Sequence, residues 1–334
     1  MTQIESRRQH TKDKTDLLQG ELRKSAKDQI SDVCACATGS FGRLEAGQHS
    51  DLDIFLLSRS SEDVGPKNIK ILKPAISNQN VILIKAGLIE ANSAAGLPPF
   101  DGDCKYLTLY TIEELIERIG RSEDESTNSF TSRLLLLLEG RPILGNDIFS
   151  EAVERIIRSY WRDYEGHERN FAPAFMSNDI LRLWRTFCVN YEARTSVAPI
   201  EKKFKRRVKN YKLKYSRMLT CYSALLCILS VYKKRETVSI EDMMAICALT
   251  PLHRIDWLRG QEEGGAVDLL SKIEHEYDFF LKVTDCSQEE LEVAFSDAVR
   301  QKELLERSYT FAHSVFEAIN CIGDGSKMHR MLVV

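Results

Sequence analysis

Two aspartates, Asp51 and Asp53, stand one residue apart at the head of the apolar run "LDIFLLS". On a strand, positions i and i+2 share a face, so the carboxylates are predicted to project side by side. Buried at that spacing, they repel each other and rise in pKa unless a cation lies between them. A divalent metal resolves the conflict. Magnesium takes oxygen ligands, usually one or two carboxylates completed by phosphates and water. Such ions stabilise the attacking and leaving oxygens of an in-line phosphoryl displacement. Eleven residues before Asp51, Gly39-Ser40 ends the apolar run "DVCACAT". A glycine turn there exposes backbone N–H groups beside a hydroxyl, which favours anions. Ser50 and Asp51 are also common turn residues, and alone they read equally well as a strand start facing water. The glycine turn, Arg43, Glu45 and the paired aspartates, taken together, point to phosphate chemistry.

Elements must hold these residues. Leu17, Leu18, Leu22, Ala26 and Ile30 recur at helical spacing and predict a leading amphipathic helix over 15–30. "DVCACATGS" reads as a strand, "FGRLEAGQ" as a turn with a short helix, and "LDIFLLS" as a second strand that carries Asp51 and Asp53. "KNIKILKPAISN" and the β-rich "NVILIKAGLIEA" follow, then the turn "LPPFDGD" and the alternating, strand-like "CKYLTLY". From Ile112 onward the pattern is helical. The expected fold class is α+β, with a sheet-containing domain over 1–145 and an all-helical domain over 146–334.

Composition agrees with a globular protein. The chain has 334 residues, 43% hydrophobic and 28% charged, enough for two cores. Its charged N-terminus lacks an apolar signal region, and "SRLLLLLEG" and "CYSALLCILSVY" are too short and too charge-flanked to span a bilayer. A cytoplasmic protein without membrane partners is expected. The nine cysteines are scattered and form no CxxC pair, so Cys34 and Cys36 read as small hydrophobes of a strand rather than metal ligands. The seven histidines are not at metal-ligand spacing.

Gly39-Ser40-Phe41-Gly42-Arg43-Leu44-Glu45 followed by Ser50-Asp51-Leu52-Asp53 resembles the signature of the polymerase-β-type nucleotidyltransferase superfamily. Within it the match is closest to the catalytic domain of protein-PII uridylyltransferase-like enzymes. Ser132 to Asp147, "SRLLLLLEGRPILGND", resembles the leucine-rich helix and Glu-x-Arg ending that follow that domain. The resemblance implies a small mixed sheet with flanking helices, an NTP such as ATP bound with magnesium or manganese, and transfer of a nucleoside monophosphate. It implies that Gly39, Ser40 and Ser50 line the nucleotide site, and that Asp51 and Asp53 hold metal. Arg43 belongs to the same turn, where an arginine can also pair with a nearby carboxylate. A third carboxylate, metal ligand and base for the acceptor, is implied from a later strand. Asp103 is preferred over Asp101 and Glu90, against the plain reading of "FDGD" as a turn. The chain lacks the His-Asp pairs of the hydrolase domain of the bifunctional uridylyltransferases. The alternatives are a non-catalytic nucleotide-binding regulatory or toxin-antitoxin module and a signalling-nucleotide synthase.

Lys202 to Arg217 holds nine basic residues among sixteen and no acid, although the whole chain carries a net charge of −3. Such a local field is expected to meet phosphate, although a charged helix face is often just solvated. Phe204, Tyr211 and Tyr215 interleave with the bases, as on surfaces that stack nucleobases. Lys212, Lys214 and Arg217 are candidates to reach the triphosphate, a role the resemblance gives to a lysine of the helical domain. The whole patch is alternatively a grip for an RNA acceptor, tRNA included, whereas the resemblance favours a protein acceptor. In "SNDILRLWRTFCVNYEA", Asp179 and Arg182 either line a cleft or form an i, i+3 surface ion pair.

Overall fold

The computed structural model of the chain describes residues 2–25, 32–64, 70–102, 104, 107–196 and 203–333. Two compact units divide it, Glu5–Ser159 and Tyr160–Val334 together with Met1–Ile4. The first unit mixes helices with a small sheet, and the second contains helices joined by turns, with no strand among its described residues.

In chain order the first unit contains α1 (Gln3–Ser25), β1 (Val33–Ala37), α2 (Gly39–Gly42), β2 (Ile54–Ser58), β3 (Ser60–Val64) and β4 (Lys70–Pro74). α3 (Asn78–Ala94), β5 (Leu109–Thr111), α4 (Ile112–Glu117), α5 (Ser122–Ser126), α6 (Ser129–Glu139), β6 (Arg141–Leu144) and α7 (Asn146–Tyr160) follow. The main sheet has the order β5-β2-β1-β6, and β3 pairs with β4 in a separate hairpin. β1 runs antiparallel to β2 and β6, while β2 and β5 are parallel. A parallel pair needs a crossover, and the β3–β4 hairpin with α3 supplies it.

Every residue of β1 and β2 is buried. Such strands need cover on both faces and read as unbroken apolar runs. Leu18 and Leu22 of α1 and Ile84, Leu88 and Ala91 of α3 join Val33, Ala35, Ala37, Ile54 and Leu56 in one core. The β-rich "NVILIKAGLIEA" is therefore a helix, contrary to expectation. Ser77 caps it by accepting the Asn80 N–H, and Val81, Ile84, Leu88 and Ala91 face inward at helical spacing. The misreading has a physical cause: Ile82, Leu83 and Ile89 are apolar yet exposed, which hides the period. α1 begins well before residue 15, and its expected residues 26–30 lie outside the described residues.

The second unit contains α8 (Ala174–Ser196), α9 (Lys203–Lys212), a π-helical turn (Leu213–Arg217), α10 (Met218–Arg235), α11 (Ile240–Ala248) and α12 (Pro251–Arg259). It ends with α13 (Gly265–Val283), α14 (Gln288–Ser296), α15 (Ala298–Gly323) and α16 (Lys327–Met331). "CYSALLCILSVY" lies in α10, which is buried on almost all sides and forms the centre of this unit. Among the described residues no helix is long and apolar enough to cross a membrane.

Candidate active site

β1 ends where the glycine turn begins. The Thr38 N–H donates to the Asp53 carbonyl at 2.8 Å and extends the β1–β2 ladder by one bond. Gly39 then takes φ +62°, and a Cβ built there would lie 2.3 Å from Asp53 Oδ2. Backbone conformation and close contact both require glycine at this position. Asp53 thus lies directly against the first residue of α2, with Ser40 next along the turn. Gly42 is needed for another reason: its Cβ would stand 2.2 Å from the Glu139 carbonyl oxygen.

A buried charge cluster holds this turn from below. Arg43 Nε donates to Glu45 Oε2 at 2.8 Å, and Arg43 Nη1 donates to Glu139 Oε2 at 3.0 Å. Glu139 Oε1 accepts the Gly39 N–H at 2.8 Å. From α1, Arg7 Nη1 donates to the Glu45 carbonyl at 3.0 Å, and Thr11 Oγ1 accepts the Ala46 N–H at 2.8 Å. Arg43, Glu45 and Glu139 are all buried, so the guanidinium is matched by carboxylates where water does not reach. Arg43 shapes the turn through these bonds. The Gly39 N–H is occupied by Glu139, which leaves Ser40 as the residue of the pair able to meet an anion.

Local folding explains how Glu139 arrives there. α6 is buried on most of its surface, and its C-terminal Gly140 lies so close to the Leu136 carbonyl that a Cβ would be 2.4 Å away. The chain turns sharply at Gly140 into β6, and Arg141 pairs with Ala37 of β1. Glu139 is thereby fixed beside the end of β1. Farther back in α6, Arg133 makes a bidentate ion pair with Asp124 at 2.8 and 2.7 Å, and both side chains are fully buried.

The paired aspartates precede the strand instead of lying in it, since β2 starts at Ile54. Asp51 is exposed and Asp53 half-buried. The two are therefore not a buried pair, as a place inside the strand would make them. Ser50 closes the preceding turn: its hydroxyl accepts the Gly47 N–H at 3.0 Å, and its N–H donates to the Gly47 carbonyl at 3.1 Å. Asp103 lies outside the described residues. Asp101 is exposed and its carbonyl accepts the Cys104 N–H, while Glu90 is exposed on α3. Among the described residues no three His, Cys, Asp or Glu side chains gather at metal-binding range.

Burial raises the thiol pKa of Cys34 and Cys36 far above the ordinary cysteine value, so these are packed hydrophobes of β1.

In the helical unit, Lys212 is exposed at the end of α9, and Lys214 and Arg217 are half-buried on the π-helical turn. Lys214 Nζ lies 4.6 Å from the centre of the Tyr309 ring, and the Arg217 guanidinium 5.1 Å from that of Phe187. Tyr211 and Tyr215 do not offer stacking surfaces, contrary to expectation. Both are buried, and Tyr215 stacks on Phe280 and Phe311 at 4.7 and 4.6 Å. Phe204, Val208, Tyr211 and Tyr215 recur at i, i+4, i+7 and i+11, a helix-core stripe that the sequence already contained. The exposed aromatic beside this segment is Tyr309, far along the chain and so invisible to a local reading.

Asp179 is buried, accepts from the Tyr160 hydroxyl at 2.7 Å and pairs with Arg182 at 3.3 Å. Its carboxylate anchors α8 within its own unit. Trp161 is buried and donates its indole N–H to the Val238 carbonyl, whereas Trp184 is half-buried.

No protein-family model matches this chain, and no curated protein shows significant similarity to it.

Proposed function

We propose that this chain is a metal-dependent nucleotidyltransferase of the polymerase-β type, which moves a nucleoside monophosphate from an NTP to an acceptor hydroxyl and releases pyrophosphate. The observation that carries this reading is the approach of the Asp53 carboxylate to Gly39, at the start of the Gly-Ser turn. A metal-binding carboxylate and a phosphate-binding turn need that proximity, because the phosphate oxygens bridge them.

Asp51 and Asp53 fit an open magnesium site. Magnesium asks for one or two protein carboxylates and takes its other oxygens from phosphate and water, so a complete protein cage is not required. The glycine at position 39 lets the Asp53 carboxylate lie against the turn, where any Cβ would collide with its Oδ2. Bound there, the ion supplies positive charge against the triphosphate oxygens. Asp51 and Asp53 orient it, and Ser40 contributes its hydroxyl and N–H to the triphosphate. Asp103 is the proposed third carboxylate and base for the acceptor hydroxyl. The oxygen of that hydroxyl forms the new bond to the α-phosphorus, and the bond to pyrophosphate breaks. Lys212, Lys214 and Arg217 are proposed for phosphate, either of the triphosphate or of an RNA acceptor.

Incubation with each radiolabelled NTP, magnesium and a cell extract tests the proposal. A labelled protein or RNA band that disappears with Asp51→Ala supports transfer and names the acceptor class. Nucleotide binding without label from any NTP overturns the enzymatic reading and leaves a nucleotide-binding module.

A further inference from the structure

Glu139 meets the glycine turn at three points. Its Oε1 accepts the Gly39 N–H, its Oε2 accepts from Arg43, and its backbone carbonyl sits where only a glycine at 42 leaves room. The side chain is fully buried, so both oxygens have exchanged water for these partners. Burying a carboxylate carries a large desolvation cost, and a well-packed apolar residue is commonly as stable or more stable. A bond to Arg43 alone would not need this residue, because Glu45 already pairs with the same guanidinium at 2.8 Å. What Glu139 alone supplies is the acceptor for the Gly39 peptide.

That peptide sets the geometry on which the proposed function rests. Gly39 is held at φ +62° against Asp53, and Ser40 follows it. A rotation of the Gly39 peptide would shift the Ser40 N–H and hydroxyl relative to Asp53. We infer that Glu139 is the positioning residue of this turn: it fixes the Gly39 peptide, and through it the spacing between Ser40 and Asp53, without touching the nucleotide. The inference rests on the nucleotidyltransferase reading for its catalytic consequence and on geometry alone for its structural one.

Glu139→Met and Glu45→Met in the 334-residue chain separate the possibilities, since each removes one carboxylate from Arg43 but only the first removes the acceptor of the Gly39 N–H. Hydrogen exchange at the Gly39 amide reads the geometry without any nucleotide. Protection is expected to fall at least ~10-fold in Glu139→Met and to persist in Glu45→Met. With NTP and magnesium, Glu139→Met is expected to lower kcat roughly 10- to 100-fold while KM for NTP changes far less, the signature of misplaced reacting groups. Glu45→Met is expected to stay within about threefold of the parent at a similar loss of melting temperature.

Equal kcat losses in the two variants, or unchanged Gly39 protection in Glu139→Met, overturn the inference. Should Glu139→Met fail to fold, Glu139→Asp retains the charge for Arg43 but draws back from Gly39, and the same contrast with Glu45→Met is expected. A parent protein that neither binds nor turns over any NTP removes the nucleotidyltransferase reading. The Gly39 exchange result still decides whether Glu139 holds the turn.

Discussion

Residue by residue, the turn shows how little freedom its types leave. Gly39 has a positive φ and an aspartate oxygen 2.3 Å from its missing Cβ, whereas a Cβ on Gly20 of α1 would meet nothing within 4 Å. The same substitution therefore has opposite consequences at the two sites. Gly39→Ala is expected to cost about 1–3 kcal/mol, because it adds backbone strain and forces Asp53 to move. Gly20→Ala is expected to stabilise by ~0.5–1 kcal/mol through helix propensity. Urea unfolding of both variants checks the signs, and nucleotide binding should fall only in the first. The nearness of Gly39 to Asp53 was legible in the sequence, since a glycine turn and spaced aspartates sit close together along the chain. The partner of Arg43 was only half legible. Glu45 is two residues away, but Glu139 reaches the turn only because β6 pairs with β1.

Among the elements, caps and periodicity decided what apolar content left open. α3 contains enough β-branched and exposed apolar residues to imitate a strand, and Ser77 with the inward stripe from Val81 to Ala91 fixes it as a helix. The stripe through Tyr211 and Tyr215 was obscured by the lysines around it, although its spacing is helical. α11 gives a cap whose electrostatics are open to titration. Ser239 accepts from the Asp242 N–H, and Asp242 accepts the Ser239 N–H at 2.8 Å and pairs with Arg235. Burial pushes the Asp242 carboxyl up, but Arg235 and the Ser239 bonds outweigh it and hold the group below the usual carboxylate range. A carboxylate lowered in the folded state stabilises above its unfolded pKa of about 3.9, and that stability disappears as pH falls through the lower folded value. Asp242→Asn is thus expected to cost about 1 kcal/mol at neutral pH. The difference from the parent should shrink steadily below about pH 4 in chemical unfolding. A difference that stays constant down to strong acid would contradict the assigned charge role.

At the scale of the whole molecule, the charge on α9 gives a direct test of which acceptor the proposed transferase would use. Lys205, Lys209 and Lys212 are exposed and recur at i, i+4 and i+7, which places them on one helix face. Val208 and Tyr211 occupy the buried side, so the helix keeps its packing when these lysines are changed. The sequence made the charge visible but not its division into an exposed stripe and an aromatic interior, because that division depends on α13, α14 and α15. Phosphates neutralised by lysines release counterions, and each contact contributes about −0.7 to the slope of log affinity against log salt for a single strand. If the acceptor is RNA, Lys205→Ala/Lys209→Ala/Lys212→Ala should flatten that slope by about 2 and weaken binding most at low salt. Fluorescence anisotropy with a labelled RNA oligonucleotide, scanned from about 50 to 200 mM salt, measures both effects. NTP binding should be affected much less, because Ser40, Asp51 and Asp53 of the proposed nucleotide site are unchanged. A chain that labels a protein, and whose weak RNA binding is the same with and without the three lysines, would show that this stripe is a solvated helix face and that the acceptor lies elsewhere.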